Sequence, residues 1–435
     1  MQNILHIRSP QVVAHFPVFY GWVVLVAATL GLILPFFGHN TTIGLFVDDF
    51  IVEFGMDRTT LSGLFGLGGF VAALGLPWVG KVTDRYGSRR VGAIAGAIFA
   101  LSLIALSTAT NPLALLMMFV IMRAVGLGPL WIANSTVLAQ WFRSRRGRVF
   151  SITVVVTWLF QGFYVPFVQQ LLETMSWRQV WQLLGLLVGL VAVPLVWLLL
   201  RDRPESYGLL PDGRVNHEEE KAPVPEQGWT LPEARRTAMF RIFVLGRMLT
   251  PAAGSALILH QVSVFNSLGY DAALAAQSFG MIAIVAGGLS LFGGVLVDRL
   301  RPNHMMVIQL CTSITVLLLS ATMTTPLLLI LYVLAFGSNI TLGSLFDNTV
   351  WANLFGREHL GEIRGFVAIL MSAGVAIGPV LFGWCFDAFG DYNLMVAVFI
   401  VLMLVQTVIA WFAPMPQRKA QGDAASSTTL QPASA

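Results

Sequence analysis

GKVTDRYGSRR, residues 80–90, gathers Lys81, Asp84, Arg85, Arg89 and Arg90 in a chain that is only 11% charged. It follows directly on the apolar run LSGLFGLGGFVAALGLPWVG. Its spacing returns later: Gly80-x-x-x-Asp84-Arg85 recurs as Gly294-x-x-x-Asp298-Arg299, 214 positions on. Downstream, NSTVLAQWF at 134–142 is echoed by DNTVWANLF at 347–355, and Arg146-Gly147 by Arg364-Gly365. Three echoes at nearly one offset argue for a duplicated chain.

What is duplicated follows from composition. The 435 residues are 56% hydrophobic, with a mean hydropathy of +0.75, more apolar side chain than one aqueous core absorbs. A bilayer supplies the second apolar solvent. Runs of roughly 20 residues, enough for about 30 Å of hydrocarbon, fall near 18–46, 59–80, 90–109, 112–141, 148–172 and 177–200. They resume near 239–266, 273–297, 304–324, 326–355, 362–386 and 392–413. Lipid offers backbone groups no partner, so all twelve are read as helices. The expected fold is an all-α integral membrane protein of two pseudo-symmetric six-helix bundles, 18–200 and 239–413. An axis along the membrane normal relates them, and a ligand site near midplane lies between.

Charge sets orientation. The loops that include 80–90, 143–148, 201–238, 299–301 and 357–364 hold nearly all Lys and Arg, while the opposite loops hold Arg58 and Arg178. That asymmetry places both termini in the cytoplasm. It also explains the formal +4 charge without nucleic acid. The first 17 residues are read as a cytoplasmic segment without a cleaved signal, and 201–238 as a cytoplasmic linker. In that linker Thr230, Pro232 and Glu233 of TLPEARR predict a short capped helix. Residues 414–435 are read as a disordered tail. Cys311 and Cys385 lie inside apolar runs and imply no disulfide framework.

With these features the chain resembles the major facilitator superfamily of transporters over essentially its whole length. GKVTDRYGSRR is similar to that superfamily's loop between helices 2 and 3, and RAVGLGPLWIANS to its helix 4 signature. YGW at 20–22, WFRSRRGRVFS, RDRPESYGLLPDG and TLPEARRTAMF resemble the bacterial monocarboxylate-porter and oxalate–formate-antiporter branch. The resemblance implies a secondary transporter of the inner membrane. It would move a small organic anion by alternating access with proton symport or anion exchange, as a functional monomer without cofactor or metal. Two alternatives stay open: an efflux porter for amphipathic compounds, and a transporter-like receptor. The efflux reading is weakened because helix 5, TWLFQGFYVPFV, has no Gly-Pro. No Walker loop, paired metal-spaced His or nucleophile elbow is present, so no enzyme is expected.

Ionisable groups inside apolar runs are functional candidates by default. Arg123 lies near midplane of the fourth run. It is read either as a carboxylate-binding or coupling group, or as a structural partner of a carbonyl or of a polar group on the first run. Asp347, at the repeat position of Asn134, is the first choice for a protonatable coupling group; the alternative is an ion pair with Arg357 or Arg364. Arg247 either enters the central cavity or snorkels to the cytoplasmic face, and snorkelling is the expectation. His39 and Asn40 mark the outer part of the first helix. Tyr164, Gln161, Asn134, Asn339, Asn348 and Trp158 are candidates to orient a solute, and His260 is read as polar packing. The resemblance implies a substrate-binding Arg on helix 8, yet AALAAQSFGMIAIVAGGLSLFGGVLV contains no cation. Gly80, Asp84, Arg85, Gly87, Arg89, Asp298 and Arg299 are read as a conformational gate, with turns at Gly80 and Gly87 and Asp84 facing the start of helix 11.

Overall fold

A computed structural model describes residues 19–142, 145–207, 209–213, 228–297, 300–356 and 359–416. The segment 1–17, linker residues 214–227, the tail beyond 416, Asp298, Arg299 and Arg357 lie outside the described residues, as do the side chains of Asp84 and Asn348. The architecture is all-helical, and each apolar run becomes a span. In order these are α1 (Gly21–Leu45), α2 (Arg58–Leu74), α3 (Ser88–Leu106), α4 (Pro112–Trp141), α5 (Arg146–Thr174) and α6 (Trp177–Leu199). The second six are α7 (Ala238–Leu259), α8 (Ala272–Val297), α9 (Pro302–Thr322), α10 (Pro326–Phe355), α11 (Leu360–Phe389) and α12 (Asn393–Trp411).

Eleven helices among the described residues are long and apolar enough to span by themselves. The remaining span, α2, is interrupted at Gly75 and resumes as Leu76–Tyr86. Pro77, just inside that second piece, has no N–H to continue the ladder. The expected short helix in TLPEARR forms at Leu231–Arg236, where Thr230 N–H and hydroxyl donate to Glu233 at 2.8 and 2.9 Å.

In α1 and α4 the helix changes where a proline removes a backbone donor, and α7 ends in a corner. In α1, Pro35 sits in a tight 3-10 stretch at Leu34–Gly38. His39 is then extended (φ −78°, ψ 160°) before helix resumes at Asn40. In α4, Pro129 lies in a widened π turn, Gly126–Leu130. α7 is followed by a corner at His260 and a short helix, Gln261–Ser267. Broken spans of this kind turn side chains and free backbone toward a cavity in transporters.

The halves meet along two long seams, α2 against α11 and α5 against α8. Both need glycine. A Cβ on Gly66 would come within 2.6 Å of the Ala376 carbonyl oxygen, and one on Gly162 within 3.3 Å of the Gly280 carbonyl. Small residues permit this backbone approach in lipid, where burial of apolar area drives nothing. Trp158 covers Gly287 in the α5/α8 seam.

Polar contacts between described residues of the two halves gather at one end. Asp387, near the end of α11, accepts from the Arg58 and Thr59 backbone N–H (3.3 and 2.8 Å) and the Thr59 hydroxyl (2.6 Å) at the start of α2. Deeper in, His260 Nε2 bridges Ser62 (3.2 Å) and the Pro379 carbonyl (3.0 Å), which agrees with its reading as polar packing. This end lies opposite the loop 80–90, and the halves are sealed there.

Candidate functional site

Between the halves lies a cavity of about 350 Å³. The α1 break delivers His39 and Asn40 to it, α2 delivers Phe65 and Gly69, and α4 delivers Arg123. The second half contributes Arg247, Thr250, Gln309, Asn339 and Ser344. Both cations are deeply buried, Arg123 at 7% and Arg247 at 4% exposure. Their surroundings differ.

Arg247 donates Nε to Asp347 Oδ1 at 3.0 Å and Nη2 to Oδ2 at 2.6 Å, with Nη1 on Thr250 Oγ1 at 3.2 Å. This two-pronged pair is the strong carboxylate geometry of Arg. The expectation that Arg247 snorkels is therefore corrected: its stem is too deep, and an acid on α10 holds it inside. Of the alternative partners read for Asp347, Arg357 lies outside the described residues, and among the described residues the cation bonded to Asp347 is Arg247. Arg364 instead shares with Asp347 the lining of a second cavity of about 320 Å³. Ser372 and Val375 line both cavities, so the central space continues toward the end that carries the loop 80–90.

Arg123 has no such partner. Its Nη1 donates to Asn40 Oδ1 at 2.9 Å, and its guanidinium lies 4.8 Å from the Phe65 ring centroid. Its Nε is buried without an acceptor. No carboxylate among the described residues forms a salt bridge with it. The reading of Arg123 as the partner of a polar group on the first run is seen in the Asn40 bond, while the cavity position keeps the ligand reading open. A Cβ on Gly69 would lie 3.0 Å from Arg123 Nη2, so that glycine makes room for the guanidinium.

Other expected residues divide by helix rotation. Asn339 lines the cavity and spends its amide N–H groups on Ser313 (2.6 Å), Thr312 (3.1 Å) and the Gln309 carbonyl (3.2 Å). Asn134 is fully buried, donates to the Leu130 carbonyl at 2.7 Å and packs against Gly31 of α1, away from the cavity lining. Gln161 donates to Thr41 at 3.0 Å, and Tyr164 stacks with Phe37 and Phe160; neither is among the lining residues. Gln309, Thr250, Ser344 and Phe65 were not singled out from sequence. A Gln inside MMVIQLCTSITV was the available signal.

At the loop 80–90, Gly87 takes φ +83°, where a residue with a side chain is strained, and ends the helix. Gly80 lies inside the helix Leu76–Tyr86, so the turn is at Gly87. Arg89 donates to the Trp197 carbonyl at 2.8 Å and stacks on that ring, while its backbone N–H is held by Asp202 at 2.7 Å. It thus ties α3 to the end of α6 within one half. Arg85 leans on Tyr86.

Residues 24–350 match the Major Facilitator Superfamily, and the chain belongs to that family. Members are membrane transporters and not enzymes. Among curated relatives, the chain is 24% identical to monocarboxylate transporter 13 of Bos taurus over 378 residues, 86% of this chain and 84% of the relative. It is 28% identical to a gallate transporter of Pseudomonas putida over 194 residues, 43% of this chain and 40% of that protein. Solved structures share the fold at low identity. A bacterial homolog of the human lysosomal transporter Spinster, inward-facing and unoccupied, gives a TM-score of 0.69 at 17% identity, covering 91% of this chain and 97% of that one. A D-xylose–proton symporter gives 0.68 at 17%, covering 91% and 98%.

Proposed function

We propose that the protein moves a small organic monoanion across the inner membrane by alternating access, with proton symport or anion exchange. The observation that carries this reading is the unequal treatment of two buried arginines. Arg247 is neutralised by Asp347, whereas Arg123 faces the same cavity without a counter-ion among the described residues. A buried guanidinium is costly unless paired, and an anionic cargo supplies the counter-charge. The names of the monocarboxylate and gallate relatives agree with such a cargo. Arg123 and Arg247 together take the place of the helix 8 cation that the resemblance implied.

Asp347 is the coupling group in this reading. A proton on its carboxylate, reached from the second cavity, would release Arg247 and add a second uncompensated positive charge to the central site. Anion and proton then favour each other's binding, as linkage requires. With the basic loops in the cytoplasm, the sealed end at Asp387 is the outer one and the conformation is inward-facing.

Uptake into proteoliposomes across mono- and dicarboxylates, with imposed pH gradients, tests the reading. Monoanions are expected to be carried, and transport of uncharged solutes alone would refute it. Asp347→Asn is expected to abolish proton-driven uptake while leaving exchange measurable. Equal loss of both modes would make Asp347 structural.

A further inference from the structure

We infer that the cargo carries a hydroxyl at the end remote from its carboxylate, and that Gln309 receives it. This rests on the organic-anion reading above and deepens it. Gln309 projects from α9 into the central cavity, is 2% exposed, and its Oε1 is buried without a donor. It is the second unsatisfied buried polar group in that lining, and it belongs to the half opposite Arg123, whose Nε is the first. Buried groups left unpaired cost free energy that a fitting ligand relieves. A ligand spanning the site therefore presents an acceptor to one half and a donor to the other.

The neighbours of Gln309 point the same way. Asn339 makes its three hydrogen bonds through Nδ2, which leaves its carbonyl oxygen as the group to offer a ligand. Thr250 Oγ1 already accepts from Arg247. Among the described residues this wall is rich in acceptors and carries no unmatched charge, since Arg247 is paired with Asp347. A second carboxylate finds no uncompensated cation there. A hydroxyl suits the Gln309 amide in either of its two orientations, because it both donates and accepts. Phe65 and Phe336 line the space and suit an apolar body joining the two polar ends.

The test is counterflow in proteoliposomes with matched pairs, 3,4-dihydroxybenzoate against benzoate and glycerate against propionate. In at least one pair the hydroxylated member is expected to show a KM about tenfold lower than its partner. Gln309→Leu is expected to erase that preference. Arg123→Gln should weaken both members of a pair alike and keep their ratio. Equal KM values within both pairs in the native protein would overturn the inference and leave the anion-carrier reading standing. So would a preference unchanged by Gln309→Leu. Failure to exchange any monoanion would remove both. The native-protein ratio decides even where Gln309→Leu does not fold.

Discussion

Arg123→Ala and Asp347→Leu remove one charge each from the same cavity and should behave in opposite ways. Asp347→Leu strands Arg247 at 4% exposure without its carboxylate, and breaking a buried pair costs about 3–5 kcal/mol. Its melting temperature in detergent should fall, and Arg247→Met in the same chain should recover most of the loss. Arg123→Ala breaks no ion pair among the described residues, only the bond to Asn40 and the contact with the Phe65 ring. Its melting temperature is expected to hold or rise, while anion uptake drops about thirtyfold or more, the scale of losing one side of a buried charged contact. A large melting loss with Arg123→Ala would mark that residue as structural. At this scale the sequence showed which side chains were unusual for lipid, because charge in hydrocarbon is costly wherever it points. It could not show rotation. Asn134 and Asn339 are the same residue type on repeat-related spans, yet one faces α1 and the other the cavity.

Among the elements, α2 and α11 form one of the two seams between the halves. Asp387 meets the first N–H groups of α2, where the helix dipole favours a carboxylate. Asp57 caps the same terminus, accepting from Thr60 N–H at 2.7 Å, and hydrogen bonds from Thr60 hold its carboxyl below the ordinary 3.8. A depressed folded value means that this support is present above the ordinary value and is lost as pH falls through the folded one. Spin labels at Val52 and Leu394 report the separation of the halves at this end. Asp387→Asn should lengthen that distance in a larger share of molecules, by about two- to fivefold for a contact of roughly 0.3–1 kcal/mol. An unchanged distribution would show that the seam is held by packing alone. The loop 80–90, read as a gate, has the matching ingredients at the opposite end of α2. Element positions were legible because a hydropathic run of fixed length admits only a helix. The breaks at Pro35, Gly75 and Pro129 had visible signals, but that the break after Pro35 carries His39 and Asn40 to a cavity wall depends on neighbours.

For the molecule as a whole, the alternating-access reading has the seams limit how the halves rock. Gly66→Val places a Cβ within 2.6 Å of the Ala376 carbonyl oxygen, closer than van der Waals contact allows. Insertion and expression should persist, since the clash exists only when the sealed end is shut. Transport should be lost, and the Val52–Leu394 distance should stay long. Normal turnover would refute the seam as a required closure.

The sequence by itself determined the all-helical membrane class, the twelve spans and their duplication, because apolar length, backbone satisfaction in lipid and spaced repeats are properties of the chain alone. It also marked Arg123, Asn40 and His39, each on its own, as candidates. Tertiary structure decided that Arg247 turns inward to Asp347, that Gln309 and Asn339 share the wall opposite Arg123, and that Asp387 seals α2. Each of these depends on the rotation of one helix against another, and a hydropathy pattern that is apolar on every face does not encode it.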